Sequence, residues 1–234
     1  MTQKVKNPFL VVNPKNYLWG EKSLELAKKC DKVAKETGIT LYFTCPYMDI
    51  RMIKENTEHI IVTAQNVDPL EPGRGVGKVL PEAVKEAGAG ACFLNHQENP
   101  KTLNDLSKTI KRVQELGIIV LACTDSVEEA KAVAKFGPEI ILAEPNDLIG
   151  TGKAPDDDYI INACKEIMEY SHEISFCENF WSGVLSKGME QAITQMGVVI
   201  GTVLDEIQSI NNGENNRMLF DLMNQSSFIE YEQS

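Results

Sequence analysis

Three side chains able to move a proton beside a carbonyl stand just beyond short apolar runs: Lys15, His96 and Glu144. A partly desolvated carboxylate serves as a proton-shuttling base, a neutral histidine polarises a carbonyl, and a lysine stabilises a developing enediolate charge. The combination suits proton abstraction next to a carbonyl and needs neither a metal nor an organic cofactor. After Glu144 the chain reads Pro145-Asn146-Asp147-Leu148-Ile149-Gly150-Thr151-Gly152-Lys153. Glycines on either side of a threonine allow close backbone approach and hinge-like dihedral change. Free N–H groups there could bind a phosphate, and a closed lid would keep water from a reactive enediolate. Taken singly, each feature has a plainer reading: Lys15 as a surface lysine, Glu144 as a strand-end carboxylate, Gly150 to Gly152 as a turn. His59 and His172 adjoin helix–strand junctions and read as structural or exposed. Gly73-Arg74-Gly75-Val76-Gly77 lacks the lysine–serine ending of a phosphate loop and also reads as structural.

The order of elements can bring these residues together. Short apolar runs occur at Phe9 to Val12, Thr40 to Cys45, Ile60 to Ala64, Ala91 to Asn95, Ile118 to Cys123, Ile140 to Ala143, Ile174 to Cys177 and Val198 to Leu204. Each is too short for a globular helix, and continuous apolar runs fit parallel strands covered on both faces. Amphipathic stretches lie between them. Glu21 to Thr37 carries Leu24, Ala27, Lys28, Asp31 and Ala34 near helical spacing, and Gly38 supplies a stop. A short helix is expected between Met48 and Glu55, and another opens at Leu80-Pro81-Glu82. Thr102 to Leu116 ends at Gly117, and Asp125 or Ser126 caps a helix through Phe136 with Glu128 and Glu129 at its positive end. Asp156 to His172, Lys187 to Met196 and about Ile207 to Asn224 complete the helices.

Strand then helix, repeated eight times in 234 residues, predicts the α/β class and a closed (β/α)8 barrel. No linker or composition shift divides the chain, so residues 1–234 are expected to form one domain, with 225–234 as a fraying tail. Chemistry in such a barrel lies where strands end. Strand one ends at Asn13 and leads to Lys15; strand three ends at Gln65; strand four ends at Asn95 and His96, with Glu98 beyond; strand six ends at Glu144.

The formal net charge of −11 opposes nucleic acid and anionic membranes as partners. No apolar run approaches the roughly 20 residues that span a bilayer, and no signal peptide is expected from the first residues, which lack a long apolar stretch. The six cysteines, Cys30, Cys45, Cys92, Cys123, Cys164 and Cys177, form no C-x-x-C pair. They read as core thiols of a cytoplasmic protein, and no metal site is expected.

At this point the residues resemble the triosephosphate isomerase family, and more closely its shorter archaeal-type branch. Asn13-Pro14-Lys15-Asn16-Tyr17 is similar to the family's N-x-K-x-Y segment. Ala64-Gln65-Asn66-Val67-Asp68, with Gly73 and Leu80 to Ala89, is similar to its third loop and helix. Leu94-Asn95-His96-Gln97-Glu98-Asn99 resembles L-N-H-S-E-N, and Ala143-Glu144-Pro145 with Leu148 to Gly152 resembles the lid E-P-P-E-L-I-G-T-G. The resemblance implies the TIM barrel fold, Glu144 as base, His96 as electrophile, Lys15 and Asn13 as substrate holders, and Glu98 as support. Ile149 and Gly150 would meet the phosphate through the lid's backbone. The reaction implied is interconversion of glyceraldehyde 3-phosphate and dihydroxyacetone phosphate, in a homo-dimer or homo-tetramer.

The last third departs from that pattern. The glycine-rich seventh loop is replaced by Cys177-Glu178-Asn179-Phe180-Trp181-Ser182-Gly183, and the eighth by a stretch near Thr202 to Glu206. Val76 stands where the family often has threonine, and Gln97 where it has serine. A carboxylate a few Å from a phosphate oxygen costs on the order of kcal/mol even when screened. Two other readings therefore stay open: a sister aldose–ketose isomerase for another small sugar or sugar phosphate, and a non-catalytic binding or regulatory barrel.

Overall fold

The computed structural model describes residues 5–6, 9–143, 166, 175–179 and 197–201. Eight strands close into a barrel in sequence order: β1 (Phe9–Asn13), β2 (Thr40–Cys45), β3 (Ile60–Ala64), β4 (Ala91–Leu94), β5 (Ile119–Thr124), β6 (Ile140–Ala143), β7 (Ser175–Asn179) and β8 (Gly197–Gly201). Every neighbouring pair is parallel, and β1 meets β8 in a register running from Phe9 opposite Gly197 to Asn13 opposite Gly201. The barrel expected from the alternating runs is the one observed.

The helices form where the sequence placed their signals. α1 (Glu21–Thr37) stops at Gly38, whose left-handed backbone returns its N–H to the Ala34 carbonyl. A short 3-10 turn at Tyr47–Asp49 leads into α2 (Ile50–Glu55). α3 (Pro81–Glu86) starts on proline, and α4 (Leu103–Glu115) is capped by the Thr102 side chain. α5 (Val127–Ala134) is capped by Ser126, which settles the choice between that residue and Asp125. The expected helices at 187–196 and 207–224 lie outside the described residues, as does that at 156–172 apart from Glu166, which is helical.

Two cores explain why the strands are apolar throughout. Among the described residues, Phe9, Val11, Tyr42, Ala91, Phe93, Ile119, Leu121, Cys123, Ile140 and Leu142 form one cluster, with Val5 and Ile61 packed against it, and fill the barrel. The alternate residues, among them Leu10, Val12, Leu41, Phe43, Val62, Cys92, Leu94, Val120 and Ala122, pack against Leu26, Ala27, Cys30, Ile53, Val84, Leu106, Ile110 and Val113 of the helices. A strand side chain changes face at every residue, and both faces here are dry. Full burial of one such side chain is worth about 1.5–3 kcal/mol. On α1 the buried stripe is Ser23, Leu24, Leu26, Ala27, Cys30 and Ala34, whereas Lys28 is exposed. The helical period was right and the rotation slightly off, because Leu26 and Cys30 extend the apolar face sideways.

Several strand bounds differ from expectation: β5 starts at Ile119 rather than Ile118, β7 runs to Asn179 rather than Cys177, β8 starts at Gly197 rather than Val198, and the ends of β4 and β5 each move by one residue for a visible reason. β4 stops at Leu94 because Asn95 takes a left-handed backbone, φ 59°, which ends the ladder. β5 runs on through Thr124, a β-branched residue that pairs with Ala143.

Candidate active site

The parity that fills the barrel also selects what stands at its mouth. On β1 the interior positions are Phe9 and Val11, and the next is Asn13, buried at the strand's end. Its Oδ1 accepts the Lys15 backbone N–H at 3.0 Å. That bond closes a tight turn in which Lys15 holds φ 48°, a left-handed conformation uncommon for lysine. Gln65, just past β3, braces the turn from the other side. Its Nε2 donates to the Lys15 carbonyl at 3.1 Å and to Asn16 Oδ1 at 3.0 Å.

The fourth strand delivers the partners. Lys15 Nζ donates to Glu98 Oε1 at 2.6 Å, which joins the loops after β1 and β4 across the mouth. The Glu98 backbone N–H donates to His96 Nδ1 at 3.2 Å. A neutral imidazole whose Nδ1 accepts must carry its proton on Nε2, and that N–H has no acceptor among the described residues. Below it the Phe93 ring meets the imidazole edge to face, with centroids 6.4 Å apart.

The electrostatics favour that neutral ring. Burial, and then the Lys15 ammonium, push the His96 pKa below the ordinary imidazole value, and they outweigh the pull of Glu98. For Glu98 burial pushes the carboxyl up, but the hydrogen bond and charge of Lys15, with His96, prevail and hold it below the usual carboxylate range. The cluster therefore offers a fixed positive charge, a neutral N–H donor and an ionised carboxylate at the C-terminal ends of two strands.

Of the residues singled out from the sequence, Asn13, Lys15, His96 and Glu98 come together. Glu144, Ile149 and Gly150 lie outside the described residues. Two contributors carried little sequence signal. Gln65 stood at a strand end with nothing to assign it a task. Asn95 was legible as a strand end and not as the left-handed turn before His96; the preference of asparagine for that conformation was the available hint. Among the described residues no group of three His, Cys, Asp or Glu side chains could hold a metal ion.

A family model described as triosephosphate isomerase matches residues 8–179. The chain belongs to the triosephosphate isomerase family. Similar relatives include the triosephosphate isomerase of Methanothermus fervidus, 41% identical over 62% of this chain and 66% of that protein. That of Methanocaldococcus jannaschii is 39% identical over 61% of this chain and 66% of that protein. That of Methanobacterium bryantii is 34% identical over 74% of this chain and 79% of that protein. The archaeal-type branch of the triosephosphate isomerase family thus supplies the relatives, as the short motifs led one to expect. The first two matches span 66% of their relatives' length, just under two thirds.

Proposed function

We propose that this chain is a triose-phosphate isomerase, an intramolecular oxidoreductase that interconverts glyceraldehyde 3-phosphate and dihydroxyacetone phosphate. One observation carries the reading: Lys15, Glu98 and His96 meet over the mouth of a closed barrel, with the imidazole's Nε2–H unpartnered among the described residues. Glu144 is the proposed base. Ile140 and Leu142 fill the barrel, and 144 is the next number of that parity. The carboxylate takes a proton from the carbon beside the carbonyl, and His96 Nε2–H and the Lys15 ammonium steady the oxyanion that forms. The hydroxyl proton then passes to that oxyanion from the oxygen on the adjacent carbon, and Glu144 returns its proton to the former carbonyl carbon, which completes the isomerisation. A neutral histidine in this role is established chemistry for the family. Asn13 holds the substrate-facing turn of Lys15, and the backbone at Ile149 and Gly150 is proposed to meet the phosphate. The steps need no cofactor, so none is proposed.

The test is a coupled assay with glyceraldehyde 3-phosphate. Turnover is expected, with Glu144→Gln abolishing it. Glu144→Asp should lower kcat more than it alters KM, because it retracts the base by one methylene from a near-attack position. An unchanged kcat in either variant removes Glu144 from this role.

A second reading, an isomerase for another small sugar phosphate, is favoured by one observation. β7 extends through Glu178 and Asn179, which pair with Ala143 and Val199, where the family's seventh loop is glycine-rich. Turnover of a four-carbon ketose phosphate, with none of the trioses, would select it. Binding without turnover of any hydroxy-carbonyl would select a regulatory barrel.

A homo-dimer or homo-tetramer is also proposed. Trp19, Met48 and Val76, on the loops after β1, β2 and β3, are strongly exposed apolar side chains at one end of the barrel. Sedimentation of a 26.0 kDa monomer would refute it. The whole chain is proposed to form one domain, and residues 225–234 lie outside the described residues. Among the described residues no helix is long and apolar enough to cross a membrane. Cys30, Cys45 and Cys92 are buried free thiols, which supports the proposed cytoplasmic setting. No nucleic-acid or membrane partner is proposed for so acidic a chain.

A further inference from the structure

The turn that aims His96 is held from the next strand's loop. Asn95 sits left-handed immediately before His96. Its side chain makes three hydrogen bonds: Nδ2 donates to the Cys123 carbonyl and to Glu129 Oε1, each at 3.0 Å, and Oδ1 accepts the Lys101 N–H at 2.9 Å. Glu129 is the third residue after the N-cap of α5, where a glutamate ordinarily reaches back to the cap's own N–H. Here it does something else. Oε2 accepts the N–H of Asp125, one residue earlier, at 2.7 Å, and Oε1 leaves the helix altogether for Asn95 on the neighbouring loop. A capping role accounts for the first bond and not for the second.

We propose that Glu129 is a positioning residue for His96: from the start of α5 its carboxylate holds the Asn95 amide, and with it the left-handed turn that sets the imidazole against Lys15 and Glu98. The proposal rests on the isomerase reading of the site. The link is short and stiff. Glu129 is fixed by the first turn of α5, and Asn95 is adjacent in sequence to the ring it orients. Without Oε1 the Asn95 amide keeps the Cys123 carbonyl and the Lys101 N–H but loses the one bond that ties it to α5. A displacement of about 1 Å at a group that must face a reacting carbonyl costs up to roughly a hundredfold in rate.

The test measures kcat, KM and melting temperature on the full chain, for Glu129→Ala, Glu129→Gln, Ser126→Ala, Asn95→Gly and the double variant Asn95→Gly with Glu129→Ala. Glu129→Ala is expected to lower kcat about tenfold or more while KM stays within about twofold. Glu129→Gln keeps a carbonyl acceptor for Asn95 and should regain most of that loss. Ser126→Ala removes the acceptor of the Glu129 N–H but leaves the Glu129 carboxylate and Asn95 in place, so it should lower the melting temperature while costing far less kcat than Glu129→Ala. Asn95→Gly accepts the left-handed backbone but has no amide, so adding Glu129→Ala to it should lower kcat no further. Equal kcat losses for Ser126→Ala and Glu129→Ala, or a full Glu129 effect surviving in the Asn95→Gly background, would overturn the proposal. Should Glu129→Ala fail to fold, Glu129→Asp takes its place. It withdraws the carboxylate by one methylene and must lower kcat more than Glu129→Gln does; the reverse order is a refutation. A wild-type chain inactive on trioses defeats the site reading itself, whereas an active wild type matched in kcat by Glu129→Ala defeats only the positioning role.

Discussion

Replacing Lys15 by methionine removes one charge at nearly constant volume, and the structure fixes the sign of each consequence. The ammonium lies 2.6 Å from Glu98 Oε1, a separation at which Coulomb's law gives about 6 kcal/mol at an effective dielectric of about 20 and about 1.6 kcal/mol in bulk water. The Glu98 side chain is 56% exposed and that of Lys15 21%, so solvent screening governs and the net value belongs near 1 kcal/mol. For a chain of this size that corresponds to a melting-temperature loss of about 2–4 °C at neutral pH. Glu98 has its folded-state pKa depressed by Lys15, so its contribution is present above the ordinary carboxylate pKa and is lost as pH falls through the depressed value. The gap between wild type and Lys15→Met should therefore be widest near pH 7 and close as the solution is acidified through and below the carboxylate range. His96 should move the opposite way to Glu98's loss of stability. Freed from the ammonium and left beside Glu98, its pKa rises. Thermal melts from pH 3 to 8, with nitrogen NMR of the imidazole, read both effects. A gap in melting temperature that is the same at pH 3 and pH 7 would show that the pair acts by packing rather than charge. A His96 titration unmoved by the variant would refute the coupling between the two loops.

Two more predictions concern groups whose environment sets their ionisation. In the unmodified protein His96 should be neutral at pH 6.5, with its proton on Nε2 and Nδ1 accepting; NMR showing a half-protonated ring at that pH would contradict the cluster's electrostatics. Glu139 is buried at the foot of β6, accepting the Val120 N–H at 2.9 Å and Gln114 Nε2 at 3.0 Å, and burial raises its pKa above the ordinary value. Glu139→Ala orphans a buried N–H and should cost about 1–3 kcal/mol in urea melts. A raised carboxyl contributes most below its ordinary pKa and loses that contribution as pH rises through the raised value, so the loss should be larger at pH 4 than at pH 8. The opposite order would mean that the carboxylate is the favoured form.

The sequence reached the architecture because parallel strands coated on both sides must be apolar at every position, and such runs are easy to recognise. Phe9 to Val12 and Ile60 to Ala64 needed nothing further. It reached Asn13, Lys15, His96 and Glu98 because a barrel gathers strand ends, which turns position along the chain into position in space. Finer steps escaped it. That β4 ends before Asn95 depends on one backbone angle, which residue type suggests and does not dictate. The bond from Glu129 to Asn95 joins residues 34 apart, and nothing in either local pattern distinguishes it from helix capping. Gln65 braces Lys15 through a backbone carbonyl, a contact with no sequence signature.

The closing pair of the barrel has one more consequence. β1 lies between β2 and β8, so its N–H and C=O groups are spoken for on both sides, and the same holds for β6 between β5 and β7. A chain cut after Ala143 would keep most of the clustered site but strip the outer partner from both of these strands. It would then present two raw hydrogen-bonding edges, each flanked by apolar surface, which is the form in which strands recruit other chains. Such a fragment should precipitate rather than persist as a working half.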